Sequence, residues 1–168
     1  YVGGAFVGPK DIPGTVAEAS GAAARAASLI SDARGTLVRK ADYPPELDVK
    51  GQEPGIGVFV CHCGINIGGV VKVPEVMEYA KTLPNVAYAE QNLYTCSQDT
   101  QEKIKEKVKE LKLNRVVVAS CTPRTHEPLF QNTIKEAGLN AYLFEMANIR
   151  DQCSWIHMPE PKAATKKA

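Results

Sequence analysis

Four times between residues 55 and 158, a short run of aliphatic residues gives way to a stretch with helical spacing, and this alternation limits the fold more than any other feature. The runs "GIGVFV" (55–60), "NVAYAEQNLY" (85–94), "NRVVVAS" (114–120) and "NAYLFEMA" (140–147) have the length and β-branched content of strands. Between the first two, residues 71–83 place Pro74 near a helix start, with Val76, Tyr79, Ala80 and Leu83 on one face. Residues 97–113 carry the stripe Ile104, Val108 and Leu111, and the lysines and glutamates around it read as a solvated face. A third helix starts near Thr122 and Pro123, carries Leu129, Phe130 and Ile134, and ends at Gly138. A last short helix begins around Asp151, and the tail 159–168 has too few apolar residues to fold and reads as disordered. Alternating strands and helices bury a parallel sheet on both faces, so the expected fold is α/β, a Rossmann-like sheet of about four strands with flanking helices.

The residues before this region are organised differently. Ile12, Val16, Ala19, Ala23, Ala26 and Ile30 lie at helical spacing behind Pro13, and residues 1–34 read as a closing strand and helix packed on a body upstream. Residues 35–54, with paired prolines, glycines and charges, read as an exposed linker. The opening on Tyr1, inside a motif, reads as a cut from a longer polypeptide. A net charge of +1 gives no reason to expect nucleic acid as a partner. No apolar run approaches the roughly 20 residues of a membrane span, and no secretory leader opens the chain, so the expected location is cytoplasmic.

All five cysteines lie in the last two-thirds: Cys61, Cys63, Cys96, Cys121 and Cys153. An odd number in a cytoplasmic chain favours metal or redox chemistry over a disulfide framework. Cys61, Cys96 and Cys121 each follow a strand, Cys63 stands two residues past Cys61, and Cys153 comes a few residues after the fourth strand. In a parallel sheet these loops share one edge, where open α/β folds bind ligands. Helices starting there aim positive dipole ends at the same rim, which favours thiolate, the form that metals and iron-sulfur clusters take. The spacing matches neither a zinc ribbon nor a bacterial ferredoxin run, so a 4Fe-4S cluster and a zinc site both remain open. His62 and His126 flank cysteines and are further candidate zinc ligands.

Two neighbouring motifs carry less. "CGINIGG" lacks both the dinucleotide and the P-loop glycine patterns, and its glycines read as allowing close approach of backbone to a ligand at the rim. In "CTPRTHE" Arg124 follows Cys121 by three residues and Glu127 by six, which does not make a phosphatase cradle; Arg124 reads instead as offsetting the charge of a thiolate-bound group.

The stretches "VCHCGINIGGVV", "YTCSQDTQ", "VVVASCTPRTHEPLFQ" and "FEMANIRDQCSW" resemble the iron-sulfur module of the heterodisulfide reductase A-subunit family over roughly residues 55–157. Separately, "GPKDIPGTVAEASGAA" is similar to the end of that family's thioredoxin-reductase-like FAD domain. The resemblance implies one 4Fe-4S cluster held at Cys61 or Cys63, Cys96, Cys121 and Cys153, passing electrons between a flavin and other clusters. It implies flavin-side contacts from Gly8, Pro9, Lys10, Asp11 and Thr15, with FAD bound only together with the upstream domain. The implied partners are that FAD domain and other iron-sulfur domains or subunits of one oxidoreductase complex, and the piece alone would catalyse nothing. The order of the two segments suggests a fused homologue with a second copy of the module. Two alternatives stand beside it: a structural zinc domain used for docking, and a thiol redox enzyme built on Cys61 and Cys63, whose C-x-C spacing is a poor match for C-x-x-C.

Overall fold

Val58, Phe59 and Val60 form the middle of one central strand and Val116, Val117 and Val118 that of the other, and their alternating side chains feed cores on both sides of one sheet. In the computed structural model, residues 1–38 and 41–168 are described, and the chain divides into two units, Tyr1–Asp42 and Tyr43–Ala168. The second unit holds strands β1 (Ile56–Cys61), β2 (Val86–Asn92), β3 (Arg115–Ser120) and β4 (Phe144–Asn148), ordered β2-β1-β3-β4 and all parallel. Its helices are α2 (Ile65–Gly68), α3 (Val73–Lys81), α4 (Gln98–Glu110), α5 (Pro123–Glu136) and α6 (Pro161–Lys167), and a π-helical turn spans Arg150–Trp155; α1 belongs to the first unit.

Two hydrophobic cores sandwich the sheet. Val58 and Val60 pack with Val73, Val76 and Ala80 of α3 on one face. Phe59, Val116 and Val118 pack with Ile104 and Val108 of α4 and Phe130 and Ile134 of α5 on the other. The connection leaving β1 therefore runs over one face towards β2, while the connection leaving β3 runs over the opposite face towards β4. In open α/β folds ligands bind where two such paths diverge, a position that falls here at the carboxyl ends of β1 and β3. Gly138, with φ of +93°, ends the α5 region as expected, its N–H donating to the Lys135 carbonyl at 3.0 Å and that of Leu139 to Ile134 at 2.9 Å.

Three expectations need correction. The tail is helical: Ala164 of α6 is 0% exposed in the same core as Val71 and Val73, and the Lys72 N–H donates to Thr165 Oγ1 at 3.1 Å. One small residue aimed inward suffices to dock a short helix, so a low apolar count misjudges it. The linker is partly structural. Residues 39–40 of it lie outside the described residues, but from Tyr43 onward it belongs to the second unit. There the Leu47 N–H donates to the Gly138 carbonyl at 2.8 Å, and Val49 packs on the α5 side core. Asn114 fastens its end, accepting from the Gly55 N–H at 2.7 Å and donating to the Glu53 carbonyl at 2.9 Å.

The first unit carries α1 (Ile12–Leu29) but no strand before it; Gly4–Phe6 is a 3-10 turn. A strand needs a neighbouring backbone to satisfy its N–H and C=O groups, and the first eleven residues have none in this unit. None of the residues of α1 is buried.

Candidate functional site

The sheet delivers its cysteines to one edge. Cys61 is the last residue of β1, one residue earlier than a loop position, and is only 3% exposed. Cys63 sits in the left-handed region at φ 47° and Gly64 at φ 55°, so the chain turns sharply off the strand. Cys96 lies in the loop between β2 and α4, with its carbonyl accepting from Gln101 Nε2 at 2.9 Å. Cys121 follows β3 directly, and Cys153 lies in the π-helical turn beyond β4. Because β1 is flanked by β2 and β3, the loop of Cys61 and Cys63 runs between those of Cys96 and Cys121. Cys61, Cys63 and Cys153 pack on one core, Cys96 and Cys121 on the other, so thiols reach the rim from both faces of the sheet.

Polar groups surround them. The Thr95 N–H donates to Cys61 Sγ at 3.4 Å. Three buried side-chain atoms have no hydrogen-bond partner among the described residues, and all three belong to this rim: Asn92 Oδ1, Thr95 Oγ1 and Ser120 Oγ. Buried polar atoms left unpaired are costly, and the two hydroxyls among these three are donors available to a group bound at this edge. No three of the described His, Cys, Asp and Glu side chains converge tightly enough for a single metal ion.

No protein-family model matches the chain. Individual proteins do. It is 59% identical over 117 residues to the second iron-sulfur A-subunit of CoB--CoM heterodisulfide reductase from Methanopyrus kandleri, an alignment covering 70% of this chain and 18% of that protein. It is 58% identical over 117 residues to a heterodisulfide reductase A-subunit-like protein of Archaeoglobus profundus, covering 70% of this chain and 17% of the relative. With the iron-sulfur A-subunit of CoB--CoM heterodisulfide reductase from Methanocaldococcus jannaschii the identity is 51% over 115 residues, covering 68% and 18%. The chain is homologous to the A-subunits of heterodisulfide reductases. It spans less than a fifth of the length of these relatives.

In this A-subunit homologue, the electrostatics of the rim differ from the expectation that helix dipoles ionise the thiols. Burial pushes the Cys96 thiol up, and the nearby Cys61 and Cys63 push it further, against a backbone hydrogen bond. Burial likewise raises Cys121, opposed by the Ser120 hydroxyl and the charge of Arg150. Ser120 makes no hydrogen bond to the neutral thiol by geometry, and its lowering influence belongs to the thiolate, towards which a hydroxyl can rotate. Cys153 is raised by burial and opposed by Lys167, with no other cysteine acting on it. At Cys96, Cys121 and Cys153 desolvation thus outweighs the dipoles and favours the thiol.

The remaining candidates sort by contact. His62 Nε2 pairs with Gln91 Oε1 at 3.0 Å, which assigns this ring nitrogen to tying β1 to β2. His126 is half-buried on α5. Arg124 is exposed; the cations that act on the cysteines are Lys167 at Cys153 and Arg150 at Cys121, the latter pair 29 residues apart in the chain. Gly68 and Gly69 serve the loop itself, since a Cβ on them would lie 2.9 Å from His62 Nδ1 and 2.5 Å from the Ile65 carbonyl oxygen. In the first unit the flavin-side candidates build a helix start. Asp11 accepts from the Gly14 N–H at 2.8 Å, Thr15 Oγ1 donates to the Asp11 carbonyl at 2.8 Å, and Lys10 pairs with Glu18 at 3.5 Å, while Gly8 has φ of 147° next to Pro9.

Proposed function

We propose that the second unit is an electron-transfer module that holds one 4Fe-4S cluster through four of its five thiols. The observation that carries this reading is the coincidence of cysteines from four loops with three partnerless buried polar atoms along one sheet edge. When bound, the cluster supplies storage of a single electron at a potential set by its surroundings. The ligand set taken from the family resemblance is Cys96, Cys121 and Cys153 with one of Cys61 and Cys63, whose loop runs between those of Cys96 and Cys121. Thr95 and Ser120, whose hydroxyls lack a partner, would be the side-chain donors available to bound sulfur. Cys61, Cys121 and Cys153 are buried from water, and the raised thiol pKa values of Cys96, Cys121 and Cys153 mean that these sulfurs would give up their protons on loading rather than before it.

The relatives from Methanopyrus kandleri and Methanocaldococcus jannaschii are iron-sulfur subunits by name, and the larger protein is on this reading a flavin and iron-sulfur oxidoreductase. The FAD domain that Gly8, Pro9, Lys10, Asp11 and Thr15 would face, together with further iron-sulfur domains, exchanges electrons with the module. A zinc docking domain is the poorer reading, because no three potential ligands converge for a single ion among the described residues.

Anaerobic reconstitution followed by iron and sulfide analysis tests the proposal. The expected content is about four irons and four acid-labile sulfides per chain. Cys96→Ser and Cys121→Ser should each lose most of it, and the parallel Cys61→Ser, Cys63→Ser and Cys153→Ser variants identify the remaining ligands. Stoichiometric zinc without sulfide would overturn it.

A further inference from the structure

We propose that Arg150 is a positioning residue of the thiol rim, a cation clamped in place to stabilise negative charge gathered at Cys121 and Cys63. Backbone geometry puts it there. Ser120 pairs with Asn148 in the β3–β4 register, and the Ile149 N–H donates to the Ser120 carbonyl at 2.9 Å, so Arg150 leaves β4 alongside the point where Cys121 leaves β3.

The side chain is held on two sides. Its Nε lies 3.2 Å from Asp151 Oδ1, and its guanidinium carbon stands 4.6 Å from the centre of the Trp155 ring. Asp151 is itself fixed, its other oxygen accepting from Asn148 Nδ2 at 2.8 Å and its N–H donating to Asn148 Oδ1 at 2.9 Å. With 21% of the side chain exposed, the charge sits where water screens it incompletely. Asp151 engages only Nε, and neither terminal nitrogen donates a hydrogen bond to a described residue. The cation acts mutually with Cys121 and also with Cys63; burial works against its charge, and Asp151, Cys121 and Cys63 together more than offset that.

The consequence rests on the cluster reading above. Reduction adds one electron to the rim and neither forms nor breaks a bond, so the site gains one negative charge. A fixed cation then favours the reduced state, and Arg150 raises the reduction potential of this module.

The test compares wild type, R150K and R150Q in the full chain, with circular dichroism verifying the fold. After anaerobic reconstitution, dithionite titration followed by EPR should show R150Q with unchanged iron and sulfide but a more negative midpoint. The shift corresponds to about a three- to tenfold change in the reduction equilibrium, and R150K should recover most of it. An unmoved midpoint at equal cluster content overturns the inference. A second measurement needs no cluster. In the unreconstituted chain, the ratio of iodoacetate to iodoacetamide alkylation rates at Cys63 reports local potential, because thiolate content cancels between an anionic and a neutral reagent. R150Q should lower this ratio about three- to tenfold, and an unchanged ratio overturns the placement of the charge even if the wild type takes up no iron.

Discussion

Tyr88 shows how one side chain on a half-covered strand acquires a pH dependence. Burial first, and then the hydrogen bond to Glu90 at 2.6 Å and the charges of Glu90 and Glu110, push its pKa from 10.0 up to about 12. The unfolded chain loses this proton earlier than the folded one. The stabilisation is therefore complete below about pH 10 and is lost as pH rises through about 12. Urea denaturation of wild type and Tyr88→Phe between pH 8 and 12 should show a shallower alkaline loss in the variant. Residue by residue, the site was legible in part. All five cysteines and their edge were readable, since strand ends can be counted along a chain. Arg150, Thr95 and Ser120 were not, because they matter only through neighbours that the register of β3 with β4 and the turn after β2 bring close.

Among the elements, α6 carries the clearest correction. Its seven residues include three lysines, and only Ala164 is fully buried, against the core that also holds Cys61 and Cys153. A carboxylate there would be buried without an adequate partner, so Ala164→Asp should cost about 3 to 5 kcal/mol in chemical denaturation. A cost under ~0.5 kcal/mol would mean that the helix does not dock in solution. Periodicity found the longer helices because three or more apolar residues recur on one face. It fails for a seven-residue helix with one buried apolar residue, and for the segment from Tyr43 to Pro54, which is held by Asn114 and Gly138 from distant parts of the chain.

For the whole molecule, the division at residues 42 and 43 makes a direct prediction. A chain beginning at Tyr43 should unfold in one cooperative transition, and a chain beginning at Gly55 should be less stable by at least about 2 kcal/mol. The shorter chain lacks the Glu53 carbonyl that pairs with Asn114 and loses Leu47 and Val49 from beside Leu113 and Leu139. Equal urea midpoints for the two would show that the segment does not stabilise the fold. The sequence by itself determined the strand and helix alternation, the parallel sense of the sheet and the edge that receives the thiols, because hydrophobic periodicity and crossover handedness are local or nearly universal constraints. Only the tertiary structure decided the strand order β2-β1-β3-β4, the docking of α6, the pairing of His62 with Gln91 and the approach of Arg150 to Cys121. Each of these depends on which distant segments become neighbours, and that follows from the summed burial of two cores rather than from any stretch read alone.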